Sequence, residues 1–129
     1  MTVRGDVGRG GPRQVLFVCA GNVARSPMAE VVFRELTGRD GRYVIRSAGT
    51  APGARRRLTT REVLQADVIA VMDAGQVALI RRDWPDQLGK VRVLGVPDDY
   101  DPGEGELRAL LEPKLRALVA ELEGRGVTG

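Results

Sequence analysis

The chain carries one cysteine, Cys19, in the string Cys19-Ala20-Gly21-Asn22-Val23-Ala24-Arg25-Ser26-Pro27. A thiol becomes a nucleophile as its thiolate, a form favoured by a helix N-terminus and by a nearby guanidinium. Arg25 follows closely enough for a curled loop to return its side chain over the sulfur, and its planar fork of donors suits two oxygens of a phosphate. Gly21 and Asn22 tolerate the positive φ angles of such a curl. Backbone amides from Ala20 to Arg25, opening onto a helix, would converge on an anion. Phosphoryl transfer to sulfur is the chemistry this set supports. A second group, Asp98, Asp99 and Asp101, offers carboxylic acids able to give a proton to a leaving group and later to activate water. A metal site is not supported: the chain has no histidine and one cysteine, and Asp99-x-Asp101-x-Gly103 lacks the third acidic ligand of a calcium loop.

These residues need elements to hold them. Val15–Val18 is a run of four apolar residues, as in a strand buried on both faces. Ala29, Val32, Phe33 and Leu36 fall on one helical stripe, and Ser26 followed by Pro27 reads as a cap and first helical residue. Turn chemistry at 37–41 leads to a second strand, Tyr43–Ser47, completing a βαβ unit with parallel pairing. A Pro/Gly loop, Ala51–Arg57, ends in three arginines; loops leaving the carboxyl ends of parallel strands share one rim, so it should stand beside the Cys19 loop. A short helix over Leu58–Gln65 precedes a third strand, Asp67–Met72, and a helix over Asp73–Arg82 with Val77, Ile80 and Trp84 inward. Lys90–Val96 is the fourth strand, delivering the aspartates to the same rim. Gly103–Glu123 carries a leucine stripe interrupted by Pro113, which predicts a kink or two consecutive helices. The sum is an α/β fold: a single three-layer domain, with a four-stranded parallel sheet and helices on both faces.

Composition bounds the reading. At 129 residues the chain makes one domain, here 14–124, between tails at 1–13 and 125–129. The Gly/Arg-rich start is expected to be flexible and has no apolar stretch of the secretory kind. No apolar run is long enough to span a membrane. One cysteine allows no internal disulfide, which suits the cytoplasm. The net charge of +3 is small for a nucleic-acid binder, so no nucleic-acid partner is expected. Neither Gly-x-x-x-x-Gly-Lys-Ser/Thr nor Gly-x-Gly-x-x-Gly after a strand occurs, which removes the familiar nucleotide-binding classes.

The segment VLFVCAGNVARSPMAE resembles the phosphate-binding loop of the low-molecular-weight protein tyrosine phosphatases, with the pattern V-C-x-G-N-x-C-R-S-P. Ser47–Thr50 (SAGT), Ala66–Asp73 (ADVIAVMD) and Val96–Tyr100 (VPDDY) continue the resemblance, which covers most of Gln14 to Leu122 and is nearest to a short branch ending in Ile-Pro-Asp-Asp-Tyr. It implies a cysteine-dependent phosphatase acting on phosphotyrosine proteins or small aryl phosphates, releasing phosphate and using no cofactor. Cys19 would attack phosphorus, Arg25 with Ala20, Gly21, Asn22, Val23 and Ala24 would bind the phosphoryl oxygens, and Ser26 would donate to the sulfur. A gapless match places Asp98 at the general acid, with Asp99 and Asp101 as alternatives, and Tyr100 beside the cleft.

The departures from the pattern are informative. Ala24 replaces a second cysteine, no aromatic wall occurs between Ala51 and Thr60, and relatives' histidine near Gln76 is missing. Two other activities stand beside the first. One is arsenate reduction with a small external thiol. The other is phosphate or phosphoprotein binding with little turnover.

Overall fold

The computed structural model describes residues 12–21, 25–38, 41–96 and 104–124. Four strands, β1 (Arg13–Cys19), β2 (Tyr43–Gly49), β3 (Val68–Val71) and β4 (Val91–Val93), form one parallel sheet in the order β2-β1-β3-β4. The expected fold class is the observed one. The helices are α1 (Arg25–Thr37), α2 (Thr60–Gln65), α3 (Ala74–Asp83) and α4 (Glu104–Leu122), with a 3₁₀ turn at Pro85–Lys90. The strand order turns back at β1, so β1 ends at the switch point where open α/β sheets bind ligands.

Alternation along β1 divides the core. Val15, Phe17 and Cys19 pack with α1 and α4, whereas Leu16 and Val18 pack with residues of α2 and α3. This parity puts the Cys19 side chain on the α1 side, and a one-residue slip would turn it to the opposite face. Phe33 fixes α1 over the sheet, edge-on to Phe17 at 5.5 Å and to Tyr43 at 5.3 Å.

Several boundaries differ from the sequence reading for physical reasons. Arg13 belongs to β1, not to the tail: it pairs with Tyr43, and its guanidinium donates to the Leu122 carbonyl at 2.6 Å. β2 runs on to Gly49 because its pairing with Cys19 and with Arg57 continues past Ser47. β3 is shorter than Asp67–Met72, although the Asp67 and Met72 amides still bond to the Gln14 and Val18 carbonyls. β4 is also shorter than Lys90–Val96. Lys90 closes the 3₁₀ turn, and Gly95 adopts φ +77°, a left-handed conformation that breaks the extended chain. Val96 nevertheless bonds through its amide to the Met72 carbonyl, which returns it to the rim.

Helix α1 starts at Arg25, so Ser26 is a helical residue rather than the expected cap. Pro27 still falls in the first turn, where amides lack intrahelical partners. Helix α2 starts at Thr60 rather than Leu58, because Thr59 and Glu62 form a reciprocal capping box; Asp73 and Gln76 do the same for α3. α4 passes through Pro113 as one helix instead of two. The tails at 1–11 and 125–129 lie outside the described residues.

Candidate active site

The carboxyl end of β1 and the first turn of α1 bring Cys19 and Ser26 together, and Arg25 opens the same helix. Cys19 Sγ lies 3.1 Å from Ser26 Oγ, both buried, with Cys19 2% exposed and Ser26 fully covered. Ser26 reaches the sulfur from within the first turn of α1. Arg25 is 6% exposed. Its Nη1 donates to the Val96 carbonyl at 2.7 Å and lies 3.4 Å from Asp73 Oδ2. A buried guanidinium is tolerated because these acceptors replace water.

The main chain after Cys19 is set by the neighbouring loop. Thr50, Ala51 and Arg55 donate their amides to the carbonyls of Cys19, Ala20 and Gly21 at 2.9, 2.9 and 3.0 Å. In a trans peptide the carbonyl and the following N–H point in opposite directions. Three successive carbonyls turned to one segment therefore aim the amides of Ala20 and Gly21 away from it. Consecutive amides on one side make an anion-binding concavity. The Ala51–Arg57 loop thus stands beside the Cys19 loop, as the parallel topology requires.

Asp73 and the Val96 carbonyl were not among the residues singled out in the sequence. Asp73 divides its carboxylate: Oδ1 accepts from Gly75 at 2.8 Å, capping α3, and Oδ2 faces Arg25. Gln76, 4% exposed, accepts from the Met72 and Asp73 amides at 3.0 and 2.9 Å and so fixes the turn presenting that carboxylate. An Asp-x-x-Gln capping box after an apolar strand was legible; its second duty toward Arg25 was not. Buried Ser47 donates to Glu30 at 2.8 Å, tying the end of β2 to α1.

Asn22, Val23 and Ala24, together with Asp98, Asp99, Tyr100 and Asp101, lie outside the described residues. Among the described residues no cluster of histidine, cysteine and carboxylates able to hold a metal is present. No helix there is long and apolar enough to cross a membrane.

The family model of the low molecular weight phosphotyrosine protein phosphatases matches residues 14–78. A low molecular weight phosphotyrosine protein phosphatase of Schizosaccharomyces pombe is 33% identical over 121 residues, covering 73% of this chain and 77% of its own. A protein-arginine-phosphatase of Bacillus subtilis is 42% identical over 50 residues, covering 38% of this chain and 33% of its own. Among solved structures, YfkJ from Bacillus subtilis superposes with a TM-score of 0.76 at 26% identity, covering 90% of this chain and 98% of that one.

Proposed function

The chain belongs to the low molecular weight phosphotyrosine protein phosphatase family, and from that premise we propose that it hydrolyses phosphotyrosine on proteins, or other aryl phosphates, through Cys19. The observation that carries the proposal is the buried 3.1 Å contact of Cys19 Sγ with Ser26 Oγ, beside two amides turned away from the Arg55 loop.

The Cys19 thiolate attacks phosphorus as the bond to the aryl oxygen breaks. Asp98 protonates that oxygen, giving a neutral phenol and a phosphocysteine. Amides of the 20–25 loop and the Arg25 guanidinium hold the equatorial oxygens, where charge is spread in the transition state. Water then attacks phosphorus with its proton passing to the Asp98 carboxylate, and the sulfur leaves as thiolate. Ser26 donates a hydrogen bond to that departing sulfur. Arg25 arrives pre-positioned, because the Val96 carbonyl and Asp73 already orient it. The lone cysteine fits a reducing compartment, and the cytoplasm is the proposed location.

The test is hydrolysis of p-nitrophenyl phosphate and a phosphotyrosine peptide, with a phosphoarginine peptide as control. Wild type should turn over the first two, Cys19→Ser should lose at least about 10³-fold in kcat, and Asp98→Ala about 10²-fold or more. Turnover by Cys19→Ser at the wild-type rate would falsify the assignment.

A further inference from the structure

From Arg46 to Arg61 the chain carries five arginines and no acidic residue; the first carboxylate after them is Glu62. Arg46, Arg55, Arg56, Arg57 and Arg61 are all exposed. Taken alone, such a run is an ordinary solvated surface. Its attachment is what distinguishes it. The Arg55 amide bonds to the Gly21 carbonyl at 3.0 Å, and the Arg56 carbonyl accepts from Gly49 at 2.7 Å. Arg57 forms a parallel bridge with Gly49, and the Leu58 amide returns to the Gly49 carbonyl at 2.8 Å. The backbone of Arg55–Arg57 is therefore stapled to the end of β2 and to the loop that follows Cys19, one hydrogen bond from the nucleophile's own segment.

Charge of one sign fixed within a Debye length of a cleft raises the local concentration of the opposite sign. Glu62 of α2 faces the run. That carboxylate pairs with Arg56 at 2.9 Å and also accepts from Thr59 in the α2 capping box. In this pair Glu62 is largely covered but Arg56 is half exposed, so part of its guanidinium stays accessible to a second carboxylate. Neighbours of a phosphorylated residue in an extended peptide lie at roughly 3.3–3.6 Å per residue, which brings the first few within reach of this rim. No exposed large apolar residue accompanies the run; Val31, Leu64 and Val93 lie outside it. A basic surface without apolar anchors suits an acidic peptide better than a bilayer.

We propose that Arg55, Arg56 and Arg57 form a subsite for acidic residues flanking the phosphorylated side chain of a protein substrate. The inference rests on the phosphatase activity proposed above and adds its substrate class. Two phosphotyrosine peptides, identical except for glutamate or glutamine on either side, test it. At low salt the acidic peptide should have a kcat/KM roughly tenfold higher, the size two or three exposed ion pairs supply. The ratio should shrink in 0.5 M NaCl, fall toward one in an Arg55→Ala/Arg56→Ala/Arg57→Ala variant, and persist in the triple lysine variant. If the alanine variant does not fold, Arg56→Gln/Arg57→Gln replaces it.

Equal kcat/KM for the two peptides in wild type, or a ratio untouched by removing the arginines, overturns the proposal. So does arginine-dependent binding to phosphatidylserine vesicles by a protein that treats both peptides alike. If neither peptide is turned over, the phosphatase assignment fails by itself. Anisotropy with non-hydrolysable phosphonate versions of the same peptides then reads the ratio, a tenfold preference supporting the subsite and equal affinities rejecting it.

Discussion

At the carboxyl end of the sheet Arg25 is almost wholly buried and turned onto the Val96 carbonyl and Asp73. At the amino end Arg42 and Tyr43 also meet a carboxylate, Glu123, at 2.6 and 2.7 Å, but Arg42 is nearly half exposed. Both clusters cross between distant parts of the chain. The amino-end cluster latches the end of α4 to edge strand β2, helped by Arg13 on the Leu122 carbonyl. Its groups are matched to one another, and a solvated match contributes little beyond holding two elements together. The rim cluster lies at the strand ends that also carry the proposed nucleophile, and a buried guanidinium there would act more strongly on a bound anion than a solvated one. Burial and orientation, more than the number of charges, separate the rim from the amino end.

The contrast can be broken at four points. Arg25→Lys keeps a charge but loses the planar fork; kcat on p-nitrophenyl phosphate should fall roughly 10²–10³-fold with the fold retained by circular dichroism. Asp73→Asn leaves an oxygen for the Gly75 amide and removes the charge facing Arg25. It should cost about tenfold in kcat, since misplacement by an ångström can cost 10², with little change in melting temperature. Asp73→Ala should show the same kinetic loss and a further cost of about 1 kcal/mol in urea unfolding from the missing cap.

At the other end Glu123→Ala should reverse the pattern. Stability should drop by about 1 kcal/mol while kcat/KM on p-nitrophenyl phosphate stays at the wild-type value. A kinetic defect there would show that the latch positions the rim. The smallest effect concerns Tyr43, whose hydroxyl is pushed up to about 12, first by burial and then by its hydrogen bond and proximity to Glu123. A raised folded value means that the fold favours the protonated phenol. Its contribution is therefore fully present below pH 10 and is lost as pH rises from 10 to about 12. Urea midpoints measured between pH 9 and 12 should decline, and Tyr43→Phe should flatten part of that slope.

Much of this was legible residue by residue. The apolar run before Cys19 and the stripe from Ala29 to Leu36 gave strand and helix, because period-two and period-3.6 burial are properties of the local chain. The loop of residues 51–57 was placed beside Cys19 from parallel topology alone. Local chemistry misled at Ser26, which has the side chain of a cap but lies inside the helix facing Cys19. At Val96 the reading assigned strand, since a single glycine at φ +77° does not show in hydrophobic pattern.

The one-dimensional chain pointed to the atoms proposed to react: a lone thiol, a guanidinium and a hydroxyl close together in sequence. What it could not determine is what holds them, because the holders come from elsewhere. Asp73 and the Val96 carbonyl reach Arg25 across 48 and 71 residues of sequence. They are adjacent only because β1, β3 and β4 end on one rim. Buried charge needs acceptors at short range, and in a parallel sheet those are supplied by neighbouring strand ends, a relation that packing creates and composition does not record.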